Sequence, residues 1–176
     1  MHIKNYKKYY FLNKFNYSHL ISLDQNISFI WRNKDKQTSL KNLIELRHFC
    51  KKYQRKLYIR NDTKLAVELD VDGLYISSSN KNLTFKPVSL KKKFEILGSA
   101  HNVKEIKIKE LQGVDKIFLS PIFKDKNNKK LELYKYLNLK KLTLMKDVAL
   151  GGINKENIKK LKFIKPFGFA GISFFE

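Results

Sequence analysis

Eight short apolar runs, each separated from the next by a more polar stretch, are the feature that most limits how this chain can fold. Most of the runs are continuous rather than alternating, which is typical of parallel strands that are covered on both faces. The sequence therefore predicts eight strands, at residues 9–15, 27–33, 56–61, 73–77, 94–101, 116–123, 147–153 and 168–175.

Between several of these runs, apolar residues recur at helical spacing. The clearest stretch begins with Thr38 or Ser39 as a possible N-cap and predicts a helix with one apolar face, made of Leu40, Leu43, Ile44, Leu46, Cys50 and Tyr53. Weaker helical patterns occur at 63–69, 102–113, 128–142 and 154–164. Because β-helix-β connections are almost always right-handed, this order predicts an α/β fold, a small (β/α)8 TIM barrel. An open doubly wound sheet is the alternative, and it would suit five or six strands better.

Two features set this barrel apart from a full-length one. The first crossover, residues 16–26, is too short for a full helix, and Glu176 follows the eighth strand with no helix after it. We expect one domain, residues 1–176, with thin cover between the last and first strands. Apolar surface left there would suit a second copy of the chain, so a homo-oligomer is a hypothesis.

The formal net charge of +21 raises the possibility of nucleic-acid binding. Arginine, which suits bidentate recognition of phosphates and bases, occurs only at positions 32, 47, 55 and 60, while lysines are spread along the whole chain. We interpret the charge as a solvated lysine surface that attracts anionic substrates, without a specific nucleic-acid partner. No apolar run is long enough to cross a membrane and no leader pattern is present, so we expect a cytoplasmic protein.

In a TIM barrel the active site lies at the C-terminal ends of the strands, so the residues that follow each apolar run are the candidates for chemistry. In this chain they are polar or small, and we expect them to share one rim. They are Arg32 to Lys34, Asn61-Asp62, Ser77 to Asn80, Ser99 to His101, Ser120-Pro121, Gly151-Gly152 and Gly171 to Ser173.

Two of these strand ends predict a phosphate site. Gly151-Gly152 precedes a helical pattern, so no side chain would block an anion from backbone N–H groups. Ile172-Ser173 ends the next strand, and TIM barrels commonly bind phosphate with the loops after strands seven and eight. The alternative is that the glycines simply permit tight turns.

Four further residues have candidate roles. Arg32 and Lys34, two positions apart in an extended segment, could clamp a diphosphate. Asp62 could bind Mg2+ together with substrate phosphates, although Asn-Asp is also an ordinary turn and helix cap. His101 could act as an acid or base, or could be a polar residue satisfied at the rim.

Five segments, taken in order, resemble the thiamine-phosphate synthase and thiazole tautomerase family of TIM barrels. They are WRNK, IRNDTKLAVELDVDGLYIS, ILGSAHNVKEI, GVDKIFLSPIF, and ALGGINKENI followed by GFAGIS. The resemblance covers most of the chain and is clearest from Leu57 onward. It implies an enzyme that joins hydroxymethylpyrimidine diphosphate to thiazole phosphate and releases pyrophosphate, with Mg2+ as cofactor and phosphorylated small molecules as partners.

The resemblance also implies roles for individual residues. They are Arg32, Lys34 and Asn61 on the diphosphate; Asp62 on Mg2+; Ser99 beside the pyrimidine or the diphosphate; Gly152, Ile172 and Ser173 around the thiazole phosphate; and His101 as the catalytic histidine of the tautomerase branch.

This chain departs from the family pattern at three places. Asn80 stands where the family has a second metal-binding carboxylate, and its side-chain carbonyl could still bind Mg2+, although it supplies no charge. Ile30 stands where the family has a glutamine. The loop KDKNNKK replaces a threonine-containing loop, and Lys129 is the candidate for that loop's lysine. Two alternatives to the synthase therefore stay open: a metal-free thiazole-phosphate tautomerase that uses His101, and a non-catalytic barrel that binds phosphate ligands or polyanions.

Overall fold

The computed structural model describes residues 6–32, 36–83, 93–123 and 131–176, apart from the side chains of 36–39. Eight parallel strands close into a barrel in which each strand pairs with its successor and the last pairs with the first. The prediction of a small (β/α)8 TIM barrel is therefore confirmed. The strands are β1 (Lys7–Leu12), β2 (Ile27–Trp31), β3 (Leu57–Arg60), β4 (Gly73–Ile76), β5 (Glu95–Ala100), β6 (Lys116–Leu119), β7 (Lys146–Leu150) and β8 (Gly168–Gly171).

Helices follow most of the strands in the described ranges. They are α1 (Tyr17–Ser22), α2 (Lys36–Lys52), α3 (Thr63–Glu68), α4 (Val103–Leu111), α5 (Leu133–Lys141) and a 3₁₀ helix (Ile158–Phe163). The first crossover is the short one that the sequence predicts, because α1 has only six residues. The side chains of Asn16, Asp62 and Asn102 cap α1, α3 and α4. Each accepts a hydrogen bond from the backbone N–H of the residue three positions later. Within the described ranges, no helix has both the length and the apolar character needed to cross a lipid bilayer.

The buried face of α2 is narrower than the sequence predicts. Leu43, Leu46 and Cys50 are buried as expected, and Phe49 joins them. Leu40 and Ile44, however, are 49% and 37% exposed, so the predicted apolar face is only partly buried. The helix rests on the barrel along positions 43, 46 and 50, and residues 40 and 44 lie at the edge of that stripe.

The barrel interior is filled by side chains. One residue or two from each strand point inward, and these residues form a cluster distinct from the layer between sheet and helices: Tyr9, Phe11, Ile30, Tyr58, Tyr75, Leu97, Phe118, Val148 and Ala170. Phe118 lies at its centre, with ring centroids 5.0 Å from Tyr9 and 5.3 Å from Tyr75. Because the interior is packed, a ligand has to bind above it, at one end of the barrel.

A turn follows β8, and its aromatic residues cover the outside of the barrel at the junction of β8 and β1. The ring of Phe175 stacks on Phe169 at 5.9 Å and lies 5.0 Å from Tyr10. Phe174 contacts the edge of the Phe169 ring at 4.9 Å. These rings contribute apolar cover at the junction where the sequence predicts thin cover.

Candidate functional site

The candidate site lies directly above the packed interior. It is lined by the next inward-facing side chain of each strand, two positions after the interior residue. In β2 the interior residue Ile30 is followed two positions later by Arg32, and in β3 Tyr58 is followed by Arg60. Side chains two apart in a strand point to the same face. The residues one step beyond the interior layer therefore line a cavity at the C-terminal ends of the strands.

This cavity has a volume of about 720 Å³, which is in the range of sites for small molecules. Seven predicted site residues line it: Arg32, Ser99, His101, Gly151, Gly152, Ile172 and Ser173. Ser77, Ser78 and Ser120, which the sequence places on the rim without a specific role, also line it. Arg60 and Tyr75 line it as well, and the sequence does not single them out. Lys34 and Lys129 lie outside the described residues.

Two guanidinium groups make one side of the cavity cationic. Arg32 Nε donates to Asn13 Oδ1 at 3.1 Å, and its guanidinium lies 5.9 Å from the ring of Phe11. Burial, and then the neighbouring charge of Arg60, lower the pKa of Arg32. Because like charges at close range repel each other, this side of the cavity favours an anion.

Tyr75 stays neutral beside these two cations. Burial raises the pKa of Tyr75 to about 12, although a hydrogen bond with Ser99 and the charges of Arg60 and Arg32 act in the opposite direction. The phenol is therefore protonated near neutral pH. Ser99, buried at the end of β5, is held in place by this hydrogen bond.

His101 is fixed in one orientation. Its Nδ1 lies 2.7 Å from the carbonyl oxygen of Ser120, and because a carbonyl can only accept, Nδ1 carries the proton. The neutral ring then has its lone pair on Nε2, which accepts from Ser78 Oγ at 3.1 Å. The backbone N–H of His101 donates to Glu105 Oε2 at 2.7 Å. This arrangement leaves Nε2 as the nitrogen that can take up a proton.

Asn61 and Ser77 tie the ends of β3 and β4 together. Asn61 Oδ1 accepts from the Ser77 backbone N–H at 2.9 Å, and Asn61 Nδ2 donates to Ser77 Oγ at 2.8 Å. The Asn61 amide is therefore engaged on both atoms. Asn61 is not among the residues that line the cavity, but Ser77 is.

The two predicted metal ligands are engaged elsewhere. Asp62 Oδ1 accepts from Leu65 N at 3.0 Å as the cap of α3. Asn80 Oδ1 accepts from Asn82 N at 3.0 Å, and neither Asp62 nor Asn80 lines the cavity. Within the described ranges, no group of three or more His, Cys, Asp or Glu residues could hold a metal ion. Mg2+ prefers one or two carboxylates plus substrate phosphates, so these residues fit a magnesium site poorly.

The glycine loop after β7 lines the opposite side of the cavity. Gly151 and Gly152 have positive φ angles of 95° and 67°. At Gly151 a Cβ would lie 2.7 Å from Pro121 Cβ, so this position requires glycine. Asn154 Oδ1 accepts from the N–H groups of Glu156 and Asn157, both at 3.0 Å. The predicted helix start directly after the glycines is therefore a turn capped by Asn154, and the 3₁₀ helix begins at Ile158.

The loops after β7 and β8 present backbone donors to the cavity. Hydrogen bonds within the described part of the chain leave the N–H groups of Gly152, Ile172 and Ser173 without an acceptor. In a closed ring of eight strands, β3 lies opposite β7. The cavity thus combines two guanidinium groups on one side with several N–H donors on the other, which suits a ligand with anionic groups at both ends.

Comparison with known protein families identifies the kind of protein that carries this cavity. Residues 22–175 match the model of the family described as thiamine monophosphate synthase. The chain belongs to this family. The resemblance seen in the sequence is confirmed, and so is the prediction of an enzyme of the thiamine-phosphate synthase kind.

Individual relatives agree with this assignment. A protein of Aquifex aeolicus, named as a candidate second thiamine-phosphate synthase, is 33% identical over 137 residues, which are 74% of this chain and 72% of the relative. The thiamine-phosphate synthase of Pelagibacter ubique is 30% identical over 162 residues, which are 88% of this chain and 77% of the relative.

A solved structure supports the fold. Thiamine phosphate pyrophosphorylase from Pyrococcus furiosus superposes with a TM-score of 0.73 and covers 98% of this chain and 88% of its own. The sequence identity is 18%, so this similarity is evidence for the barrel and its strand order only.

Proposed function

We propose that the protein is a transferase of the thiamine-phosphate synthase type, which joins hydroxymethylpyrimidine diphosphate to thiazole phosphate and releases pyrophosphate. The observation that carries this proposal is the two-sided cavity, with Arg32 and Arg60 on one side and the N–H groups of Gly152, Ile172 and Ser173 on the other. The reaction needs a diphosphate and a monophosphate held at the same time, and the cavity offers donors for both.

The diphosphate is assigned to the cationic side. Arg32 has planar N–H donors that match phosphate oxygens, and its contact to Asn13 uses Nε, so both terminal nitrogens can bind the ligand. Lys34 and Lys129 remain predicted contributors from outside the described residues. Asn61 is assigned an indirect role, because its amide holds Ser77 at the cavity edge.

The thiazole phosphate is assigned to the glycine side. Backbone N–H groups of Gly152, Ile172 and Ser173 would donate to its oxygens, and the Gly151 turn lets the ligand approach the main chain. Ser99, between the two sides, is assigned to the pyrimidine or the inner phosphate oxygens.

The chemistry proposed for this site is ionisation followed by capture. Departure of the diphosphate leaves a pyrimidine carbocation, which the thiazole nitrogen attacks. The protein aligns the two rings and stabilises the charge on the leaving diphosphate. Asp62 and Asn80 are the predicted holders of Mg2+, but their contacts fit that role poorly, so no step is assigned to a metal.

The test is to incubate the purified protein with both substrates and Mg2+ and to quantify thiamine phosphate and pyrophosphate. We expect the two products in equal amounts. Absence of both at high enzyme concentration, while thiazole phosphate still binds, would contradict the proposal.

His101 supports a second candidate, a thiazole-phosphate tautomerase. The fixed ring offers Nε2 as a base at the cavity wall without any metal. In that case His101→Ala should reduce tautomerisation by about 10²- to 10⁴-fold. The control is His48→Ala, since His48 is an exposed histidine on α2. An unchanged tautomerisation rate in His101→Ala would exclude this role.

The cellular setting follows from the same proposal. We expect the protein to act in the cytoplasm on phosphorylated small molecules, and the homo-oligomer remains a prediction that light scattering can test. Salt-sensitive binding of nucleic acid, with neither enzymatic activity, would instead favour the non-catalytic barrel.

A further inference from the structure

Arg60 lines the cavity but is not among the site residues that the sequence predicts. It ends β3, is partly buried, and points into the cavity two positions after the interior residue Tyr58. Within the described part of the chain its guanidinium makes no hydrogen bond, ion pair or ring contact. Burying a cation is unfavourable unless its N–H donors find partners, so the five donors of this guanidinium are well placed to bind an anionic ligand.

The charges around Arg60 also favour an anion. Arg32 is close enough for Arg60 to lower its pKa, in addition to the effect of burial. None of the described residues that line the cavity is Asp or Glu. Glu176 acts on Arg32 electrostatically, but it is exposed and lies outside the lining. An anion placed between Arg32 and Arg60 would relieve their repulsion.

The expected metal site cannot supply this charge in its usual form. Mg2+ is usually held by one or two carboxylates plus substrate phosphates, but neither Asp62 nor Asn80 lines the cavity. Asp62 Oδ1 caps α3, and Asn80 carries no charge and accepts from Asn82 N. The main-chain carbonyl of Asn80 is bound by the buried side chains of Lys109, at 2.7 Å, and Gln112, at 3.1 Å. These contacts fix the main chain at Asn80.

We propose that Arg32 and Arg60 together bind the diphosphate of the substrate and neutralise it without a metal ion. This inference rests on the proposed function, because it names how the same site handles the leaving group. Two guanidinium forks can each donate two parallel N–H bonds to phosphate oxygens. The positive charge that a metal would provide therefore comes from side chains fixed at the ends of two adjacent strands.

The experiment measures the binding of inorganic pyrophosphate by calorimetry, once in excess EDTA and once in Mg2+. We expect the wild-type protein to bind pyrophosphate in EDTA with an affinity within a few-fold of that in Mg2+. Arg60→Gln should weaken this binding about 10- to 100-fold, since it removes charge-assisted hydrogen bonds. Arg60→Lys keeps the charge but loses the forked pair of N–H donors, so its affinity for pyrophosphate should lie between those of the wild type and Arg60→Gln.

The matched control is Lys64→Gln, which removes the same charge from an exposed position on α3. It should change the affinity less than two-fold, whereas a general effect of the net charge would weaken both variants equally. Tryptophan fluorescence of Trp31 checks that each variant is folded, because this side chain is fully buried.

Three results would overturn the inference: no binding in EDTA, wild-type affinity in Arg60→Gln, or equal losses in Arg60→Gln and Lys64→Gln. Because pyrophosphate binding is measured without turnover, the outcome is separate from that of the synthase assay. A protein that binds pyrophosphate through Arg60 but forms no thiamine phosphate would refute the proposed reaction and leave this inference standing.

Discussion

The N-terminal end of the barrel contains an ionic cluster centred on Glu95, and its removal should lower stability by a measurable amount. Glu95 accepts from Lys56 Nζ at 2.6 Å, Lys116 Nζ at 2.6 Å and Tyr58 Oη at 2.7 Å. The cluster joins β3, β5 and β6 at the end of the barrel opposite the cavity. We therefore expect Glu95→Gln to affect folding and leave ligand binding nearly unchanged.

The size of the effect follows from the pKa of Glu95. Burial opposes ionisation, but hydrogen bonds from Lys116, Lys56 and Tyr58 outweigh it and lower the pKa to about 2 from an ordinary value of 4.5. A shift of this size corresponds to at most about 3–4 kcal/mol. The side chain is 25% exposed, so solvent screening reduces the expected loss in Glu95→Gln to about 2 kcal/mol.

The same pKa gives the sign of the pH dependence. The unfolded chain binds a proton near pH 4.5, whereas the folded protein does so only near pH 2. The stabilisation is therefore fully present above pH 5 and is lost as the pH falls from about 4.5 to 2. Glu95→Gln should lose this part of the pH dependence.

Urea unfolding followed by the fluorescence of Trp31 measures both quantities. With a slope of about 1–3 kcal/mol per M, a loss of ~2 kcal/mol lowers the midpoint by roughly 1 M. The control is Glu68→Gln, since Glu68 belongs to an exposed pair with Lys64 at 3.8 Å and should contribute less than about 0.5 kcal/mol. If Glu95→Gln has the wild-type midpoint and pH dependence, the hydrogen bonds of Glu95 do not stabilise the fold as argued.

Two further predictions concern the glycine loop after β7 and the buried Lys109 on α4. Gly151→Ala should lose about 1–3 kcal/mol in urea unfolding, because its Cβ would meet Pro121 and its φ is +95°. Gly171→Ala, whose Cβ would meet nothing closer than 3.7 Å, is the control, and equal losses in both would contradict the steric argument. Burial lowers the pKa of Lys109 to about 8 from 10.5, so the unfolded chain binds more protons between these values and stability should rise with pH there. Lys109→Met should remove that rise between about pH 8 and 10.5, and an unchanged pH slope in the variant would contradict this prediction.

The strands could be predicted from the sequence because both faces of a parallel barrel are buried, and this produces continuous apolar runs. Their ends could not be predicted as well. The run at residues 168–175 continues past Gly171 because Phe174 and Phe175 pack on the outside of the barrel, not because the strand continues. An apolar run predicts burial but not its cause. Here part of the run is buried as a strand of the barrel, and part is buried by packing on the outside of the barrel.

The face of α2 shows the same limit. Helical spacing alone admits Leu40 and Ile44 to the apolar face, but only contact with the barrel decides which part of a broad face is covered. Phe49 is buried although the prediction omitted it. The sequence pattern therefore predicts which side of α2 faces the barrel, but the residues at the edges of that face can be wrong.

The cavity itself could have been predicted more completely by counting in steps of two. Arg60 follows Tyr58 on the inward face, as Arg32 follows Ile30, but the polar motif that predicts a site after this strand begins one residue later, at Asn61-Asp62. The described lining contains two of the four arginines of the chain and no lysine. Among the described residues the lysine surplus therefore lies outside the cavity, and the affinity of this site for an anion should depend on the placement of two guanidinium groups more than on the net charge of the protein.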